Sequence, residues 1–209
     1  MTENRRPLAS RQTGWAAAIT RRLAATSITP NQISAFSIVA ACAAGLALAS
    51  VARLDGAAEV AMLLLGAALV QLRLLCNLFD GMLAVEAGRG GPTGAFWNEV
   101  PDRPADIAIL VGLGIGAGLP WLGWAAAALA VFVAYLRAFG QSLGQPADYR
   151  GPMAKQHRMA LVTLAAVAGA LLTPWMPPHW PMRVALWLIV AGAAVTAWRR
   201  GRTLHEALR

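Results

Sequence analysis

Asn77, Asp80, Asn98, Asp102 and Asp106 are the residues of this chain whose types and spacing bear most directly on chemistry. They lie in one stretch, CNLFDGMLAVEAGRGGPTGAFWNEVPDRPAD, which also carries Glu86 and Glu99 and so holds half of the chain's ten acidic residues. The donors at the five positions are carboxylate and amide oxygens, a set that suits Mg²⁺, Mn²⁺ or Ca²⁺. On a helix of 3.6 residues per turn, Asn77, Asp80, Gly81, Ala84 and Gly88 share one narrow stripe. Gly94, Asn98 and Asp102 share a second stripe, with Asp106 one turn further. The glycine-rich bend between them, GRGGPTG, makes the two helices antiparallel neighbours whose stripes face each other. Carboxylates gathered in apolar surroundings are costly unless a cation neutralises them. Spacing alone leaves two readings open. One is a metal site; in the other, Asp80 caps a helix end while Glu99 and Arg103 pair at i,i+4 on a solvated face.

The elements that must position these residues are membrane helices. The chain has 209 residues, 57% hydrophobic and 13% charged, against about 25% charged in an ordinary soluble domain. Its long apolar runs do not alternate, which excludes a barrel and a soluble sandwich and points to an all-α integral membrane protein. Six spans are expected, at about 33–51, 57–87, 92–117, 121–143, 152–174 and 181–199, separated by Gly-Pro and Pro-Pro punctuation. They form a six-helix domain over 31–200, preceded by a segment at 1–30 and followed by a tail at 201–209. Within the first segment, 15–25 reads either as a short amphipathic helix on the membrane surface or as a disordered basic tail. Cys42 and Cys76 sit in apolar sequence and read as small buried hydrophobes.

With six spans, the termini and the loops near 88–103 and 137–158 share one side, and they carry fifteen of the eighteen basic residues. Arg53 and Arg183 lie on the other side, so the termini and the acidic stretch are expected to be cytoplasmic, in a bacterial inner membrane. The same bias accounts for the net charge of +8 without nucleic acid. Arg73 falls within a span, seven residues or about 10 Å before Asp80, and must face the bundle interior and pair with a carboxylate or a ligand phosphate. Arg137, Arg150, Lys155 and Arg158 gather on the acidic side as a candidate pocket for an anionic acceptor.

The acidic stretch resembles the signature of the CDP-alcohol phosphatidyltransferases, D-x2-D-G-x2-A-R-x8-G-x3-D-x3-D. It places Asn77, Asp80, Gly81, Ala84, Val85, Gly94, Asn98 and Asp102 at the signature positions with every spacing kept. Thr29-Pro30-Asn31 before the first span also looks like that family. The resemblance implies transfer of a phosphatidyl group from a CDP-activated lipid, CDP-diacylglycerol, to a small alcohol, phosphorylated or not, with release of CMP. It further implies one or two Mg²⁺ or Mn²⁺ ions held by Asn77, Asp80, Asn98, Asp102 and Asp106, with Asp102 as ligand or general base. Asn31, Gly81, Ala84, Arg89 and Gly94 would surround the CDP group, and Arg73, Arg137, Arg150, Lys155 and Arg158 the acceptor. A homodimer in the bilayer is implied as well.

Three positions depart from the signature: Asn77 and Asn98 replace aspartates, and Val85 replaces the arginine. Each amide removes one negative charge. The site then holds a single metal, is compensated by Asp106 or less directly by Glu99, or has lost catalysis and serves as a lipid-nucleotide binding protein. Arg89, one turn after Val85, is the candidate to supply the missing guanidinium. Survival of Asp80, Gly81, Ala84, Gly94 and Asp102 favours an active, divergent branch.

Overall fold

The apolar runs fold as helices, and every regular element in residues 13–85 and 88–209, the part that the computed structural model describes, is helical. In chain order they are α1 (Gly14–Ala24), α2 (Pro30–Ser50), α3 (Gly56–Val85), α4 (Gly94–Glu99), α5 (Asp102–Gly116), α6 (Pro120–Ser142), α7 (Lys155–Leu172) and α8 (His179–Ala207). A 3-10 turn at Val51–Arg53 extends α2. The Thr29-Pro30 start signal works as chemistry: the Gln32 N–H donates to Thr29 Oγ1 at 3.2 Å, and the Thr29 N–H donates to Gln32 Oε1 at 2.9 Å. This reciprocal box satisfies two N–H groups that a helix start leaves unpaired, and Pro30 has no N–H to satisfy.

Four helices are long and apolar enough to cross a membrane: Pro30–Arg53, Gly56–Val85, Pro120–Ser142 and His179–Ala207. α5, with 15 residues, and α7, which opens with Lys155 and Arg158, fall outside that group. The expected third span, 92–117, is not one helix. It divides into α4 and α5 at Val100-Pro101, where proline removes an N–H from the helical ladder although both residues keep right-handed helical backbone angles. α7 starts at Lys155 rather than 152, and α8 runs on to Ala207 through the stretch expected to be a tail. The second span was expected to reach residue 87; its last two positions lie outside the described residues.

α2 packs against α3 and α5, α5 against α6, α3 against α7, and α6 against α8. Leu48, Leu63, Ile109, Leu113, Leu122 and Met182 fill the shared core. The tightest seam is α2–α5, where glycines remove side chains from the interface. A Cβ on Gly112 would overlap the Gly45 carbonyl oxygen, one on Gly45 the Ala108 carbonyl, and one on Gly116 the Leu48 carbonyl. Ala41 and Gly45 belong to the small-residue stripe visible in the sequence of α2, and such stripes let helix backbones touch. α1 lies against α3, burying Ala16 and Thr20 beside Phe79 and Met82, with Trp15 edge-on to Phe79 at 6.1 Å and Arg21 and Arg22 exposed. Cys76 is buried as expected, whereas Cys42 is exposed on the outward face of α2.

Successive helices run in opposite directions, so the start of α2, the end of α3, the starts of α5 and α7 and the ends of α6 and α8 meet at one end of the bundle. That end carries the acidic residues. Gly112→Val should loosen it by separating α2 from α5. Such overpacking costs about 1–3 kcal/mol or more, and thermal unfolding in detergent micelles should show a clear drop in midpoint.

Candidate functional site

The α3 stripe and the start of α5 meet as their sequence faces suggest. The Asn77 side-chain amide donates to Asp102 Oδ1 at 2.7 Å. Arg73, one turn earlier on α3, places Nη2 between two carboxylates, 2.8 Å from Asp106 Oδ1 and 3.2 Å from Asp102 Oδ1. From α7, Lys155 Nζ donates to Asp102 Oδ2 at 2.5 Å and Arg158 Nη2 to Asp106 Oδ2 at 2.7 Å. Arg158 also reaches the Met153 carbonyl at 3.0 Å. Three helices are thereby joined through two carboxylates and three cations. Arg73, Asp106 and Arg158 are all at most 2% exposed at the side chain. Their charges survive burial only because each carboxylate oxygen receives a charged donor at short range.

Asp80 stands apart from this network. One oxygen accepts from Ser34 Oγ of α2 at 2.6 Å, and the other, buried, has no hydrogen-bond partner among the described residues. An unpaired oxygen on a buried carboxylate is expensive, so this atom is the clearest unmet demand for a cation in the molecule. Asn77 lies one turn before Asp80, and its amide nitrogen is already spent on Asp102, which leaves its carbonyl oxygen as a neutral ligand. Asp80 and Asn77 on α3, with Asp102 against Asn77, are oxygen donors that could hold one hard divalent ion. No cluster of three or more His, Cys, Asp or Glu side chains suited to a metal occurs among the described residues.

The remaining expected site residues divide sharply. Asn98 sits on α4, is exposed, and contacts neither Asp102 nor α3 through a hydrogen bond among the described residues. Glu99 pairs with Arg103 at 2.8 Å, as the i,i+4 spacing suggests, and also with Arg137 at 2.6 Å. Arg137 lies 5.5 Å from the Tyr149 ring centroid. Arg89 does not enter the acidic site. Its Nη1 donates to the Thr26 and Ile28 carbonyls at 2.8 and 3.0 Å, clamping the bend after α3 to the α1–α2 link. Asn31 joins the same clamp through Thr93 at 3.2 Å.

Arg150 pairs with Asp148 rather than with the acids. Burial pushes the Asp148 carboxyl up, but the hydrogen bonds from Arg150 outweigh it and hold the group below its ordinary range. Gly81 is buried beside Asp80, and Ala84 half-buried; Gly94 opens α4. Sequence reasoning missed Ser34 and Arg200. Arg200, buried on α8, donates to the Val133 and Arg150 carbonyls and ties the loop before α7 to α6. A serine in TPNQIS within an apolar helix is a faint signal for a buried partner; Arg200, in a basic run at a helix end, gives none.

The fold has solved counterparts. A solved phosphatidylinositol phosphate synthase of Mycobacterium tuberculosis, in complex with manganese and citrate, superposes with a TM-score of 0.75 over 90% of this chain and 88% of that one, at 22% identity. The fold is that of a phosphatidylinositol phosphate synthase. The same synthase with CDP-DAG bound also superposes at 0.75, covering 90% of this chain and 92% of that one, at 23% identity. In sequence, the phosphatidylinositol phosphate synthase of Mycobacteroides abscessus is 28% identical over 185 residues, 82% of this chain and 75% of that protein. The bifunctional IPC transferase and DIPP synthase of Rubrobacter xylanophilus is 37% identical over 152 residues, 69% of this chain, which spans only 32% of that protein's length. No family model matches the chain.

The buried cluster predicts two contrasting variants. Asp106→Ala strands two buried guanidinium groups, and breaking a buried pair costs about 3–5 kcal/mol, so the variant should unfold many degrees earlier or fail to accumulate. Asn98→Ala should match the parent chain in the same melt.

Proposed function

We propose that the protein is a membrane phosphatidyltransferase that moves a phosphatidyl group from CDP-diacylglycerol to an alcohol, releasing CMP. The observation that carries this reading is the unpaired Asp80 oxygen beside Asn77 and Asp102, at the end of α3 in a bundle that shares its fold with a synthase solved with CDP-DAG bound. The bundle crosses the bilayer six times in this reading, with α5 and α7 as short crossings. Both termini and the acids then face the cytoplasm, as the arginine bias requires. It acts as a homodimer, as the resemblance implies.

In the reaction, the acceptor hydroxyl oxygen forms a bond to the phosphorus that bears diacylglycerol, and the bond from that phosphorus to the CMP oxygen breaks. A divalent ion, Mg²⁺ or Mn²⁺, held by Asp80, Asn77 and Asp102 would neutralise charge on the diphosphate. Asp102 is the acceptor of the hydroxyl proton. Arg73, Lys155 and Asn77 all donate to it, which keeps it ionised and aimed while weakening it as a base, since a general base works best with a pKa near the working pH. The Ser34 hydroxyl orients Asp80 by holding one oxygen. Gly81 and Ala84 leave the α3 stripe low enough for a nucleotide to lie along it, and the Arg89–Asn31 clamp shapes the loops above. The relatives named for phosphatidylinositol phosphate make a phosphorylated polyol the first acceptor to try. Arg137 and Arg150 border that side, although each already holds a carboxylate.

The test is CMP release by purified protein in lipid nanodiscs with CDP-diacylglycerol, Mn²⁺ or Mg²⁺ and a panel of alcohols that includes inositol phosphate, glycerol phosphate, inositol and serine. One alcohol should support metal-dependent release. Asp102→Ala and Asp80→Ala should each lower the rate by about 100-fold or more, the scale expected for loss of a general base or of a charge-stabilising group. Chelation should stop it. CDP-diacylglycerol binding without release from any alcohol would instead favour a lipid-nucleotide binding protein.

A further inference from the structure

Of the three aspartates gathered here, Asp102 and Asp106 are already paired with cations of the chain itself, and Asp80 is not. Four aspartates balance two divalent ions. Here Asp80, Asp102 and Asp106 are three, and Arg73, Lys155 and Arg158 supply three positive charges. Arg73 is the decisive one. Its Nη2 lies between Asp102 and Asp106, within hydrogen-bond distance of both, as a bridging cation would. It is fully buried, so it is not a surface arginine that has swung in. Lys155 occupies the second oxygen of Asp102, and Arg158 that of Asp106. By contrast Asp80 has no cation within salt-bridge range among the described residues, and one buried oxygen without a partner. Demand for an external cation is therefore concentrated at one end of the cluster and satisfied at the other.

We infer that the protein works with a single divalent ion, seated at Asp80 and Asn77 against Asp102, and that the Arg73 guanidinium, with Lys155, permanently occupies the place of a second ion. This rests on the transferase reading above and adds to it a metal count and a role for Arg73. The two asparagines then make electrostatic sense. A second ion would add two positive charges beside a guanidinium that cannot leave, in a low-dielectric interior where like charges repel strongly. With asparagine at positions 77 and 98, the three carboxylates offset the three resident cations, and the two positive charges of one ion are balanced by the two negative charges of the bound diphosphate. Arg73 here is a positioning and charge-balancing residue; it need not touch the substrate.

The experiment is a Mn²⁺ titration of the purified full chain in nanodiscs containing CDP-diacylglycerol, read by loss of the free-ion electron paramagnetic resonance signal. One ion per chain is expected. Lys155→Met, at a partly exposed position, removes a positive charge beside the ion and should tighten Mn²⁺ binding by about tenfold while the count stays at one. Arg73→Gln should admit a second ion; should that variant not fold, the wild-type count and Lys155→Met decide. Two ions on the wild-type chain would overturn the inference and leave the transferase reading standing. No ion, with CDP-diacylglycerol still bound, would overturn the inference and the metal dependence of that reading together. Unchanged Mn²⁺ affinity in Lys155→Met would also overturn it, because the resident cations would then exert no charge on the site.

Discussion

Two carboxylates buried among three cations hold this structure's working end together. Asp102 and Asp106 lie on one face of α5, Arg73 comes from α3, and Lys155 and Arg158 come from α7. In an apolar bundle no single member could be buried alone, because an uncompensated ion in such surroundings costs several kcal/mol. The five side chains must therefore arrive together, and with them three helices acquire a fixed register. Polar groups of this kind specify which helices meet and at what height, a task that uniform leucine and alanine faces perform poorly.

The glycine seam between α2 and α5 does complementary work. It brings two backbones into contact along Gly45, Gly112 and Gly116, and this sets the depth at which α5 stands. The charge cluster then fixes how α5 is rotated. Ser34 extends the result to α2, since its bond to Asp80 links the start of the first long helix to the end of the second. Asp80 is consequently held by packing on one side and by one hydroxyl on the other, with an oxygen left over. The proposed metal site rests on that residual demand.

Much of this was legible in the primary structure because it is written in local terms. Apolar length marks α2, α3, α6 and α8, the Thr29-Pro30 pair marks a helix start, and the spacing of Asn77 and Asp102 brings them to facing stripes. Asn98 lies exposed on α4, across the interruption at Pro101 from Asp102, which a projection onto one unbroken helix does not anticipate. Proximity of Arg89 in sequence to Val85 likewise says nothing of the direction a bend imposes, and this bend sends the guanidinium toward the α1–α2 link. Lys155 and Arg158 were visible as basic residues near the acids. Their role as partners of Asp102 and Asp106 depends on α7 lying beside α3, which no local pattern encodes. Ser34 and Asp80 are 46 positions apart, and only the tertiary fold puts them in contact.

The shortness of α5 has a consequence for a lipid substrate. Its 15 residues span about 22 Å, against about 30 Å for a bilayer's hydrocarbon core, and it begins with Asp102. Asp80 is likewise set back from the end of α3, by five residues. In the six-crossing reading proposed above, the acids would then lie below the rim made by the longer helices, toward the level of a lipid's own phosphate. A diacyl lipid can present its headgroup there sideways, with both tails still immersed. Lifting those tails into water would require about 0.8 kcal/mol for every methylene exposed. A floor sunk to the lipid's level removes that barrier and leaves the water-soluble alcohol as the partner that must travel.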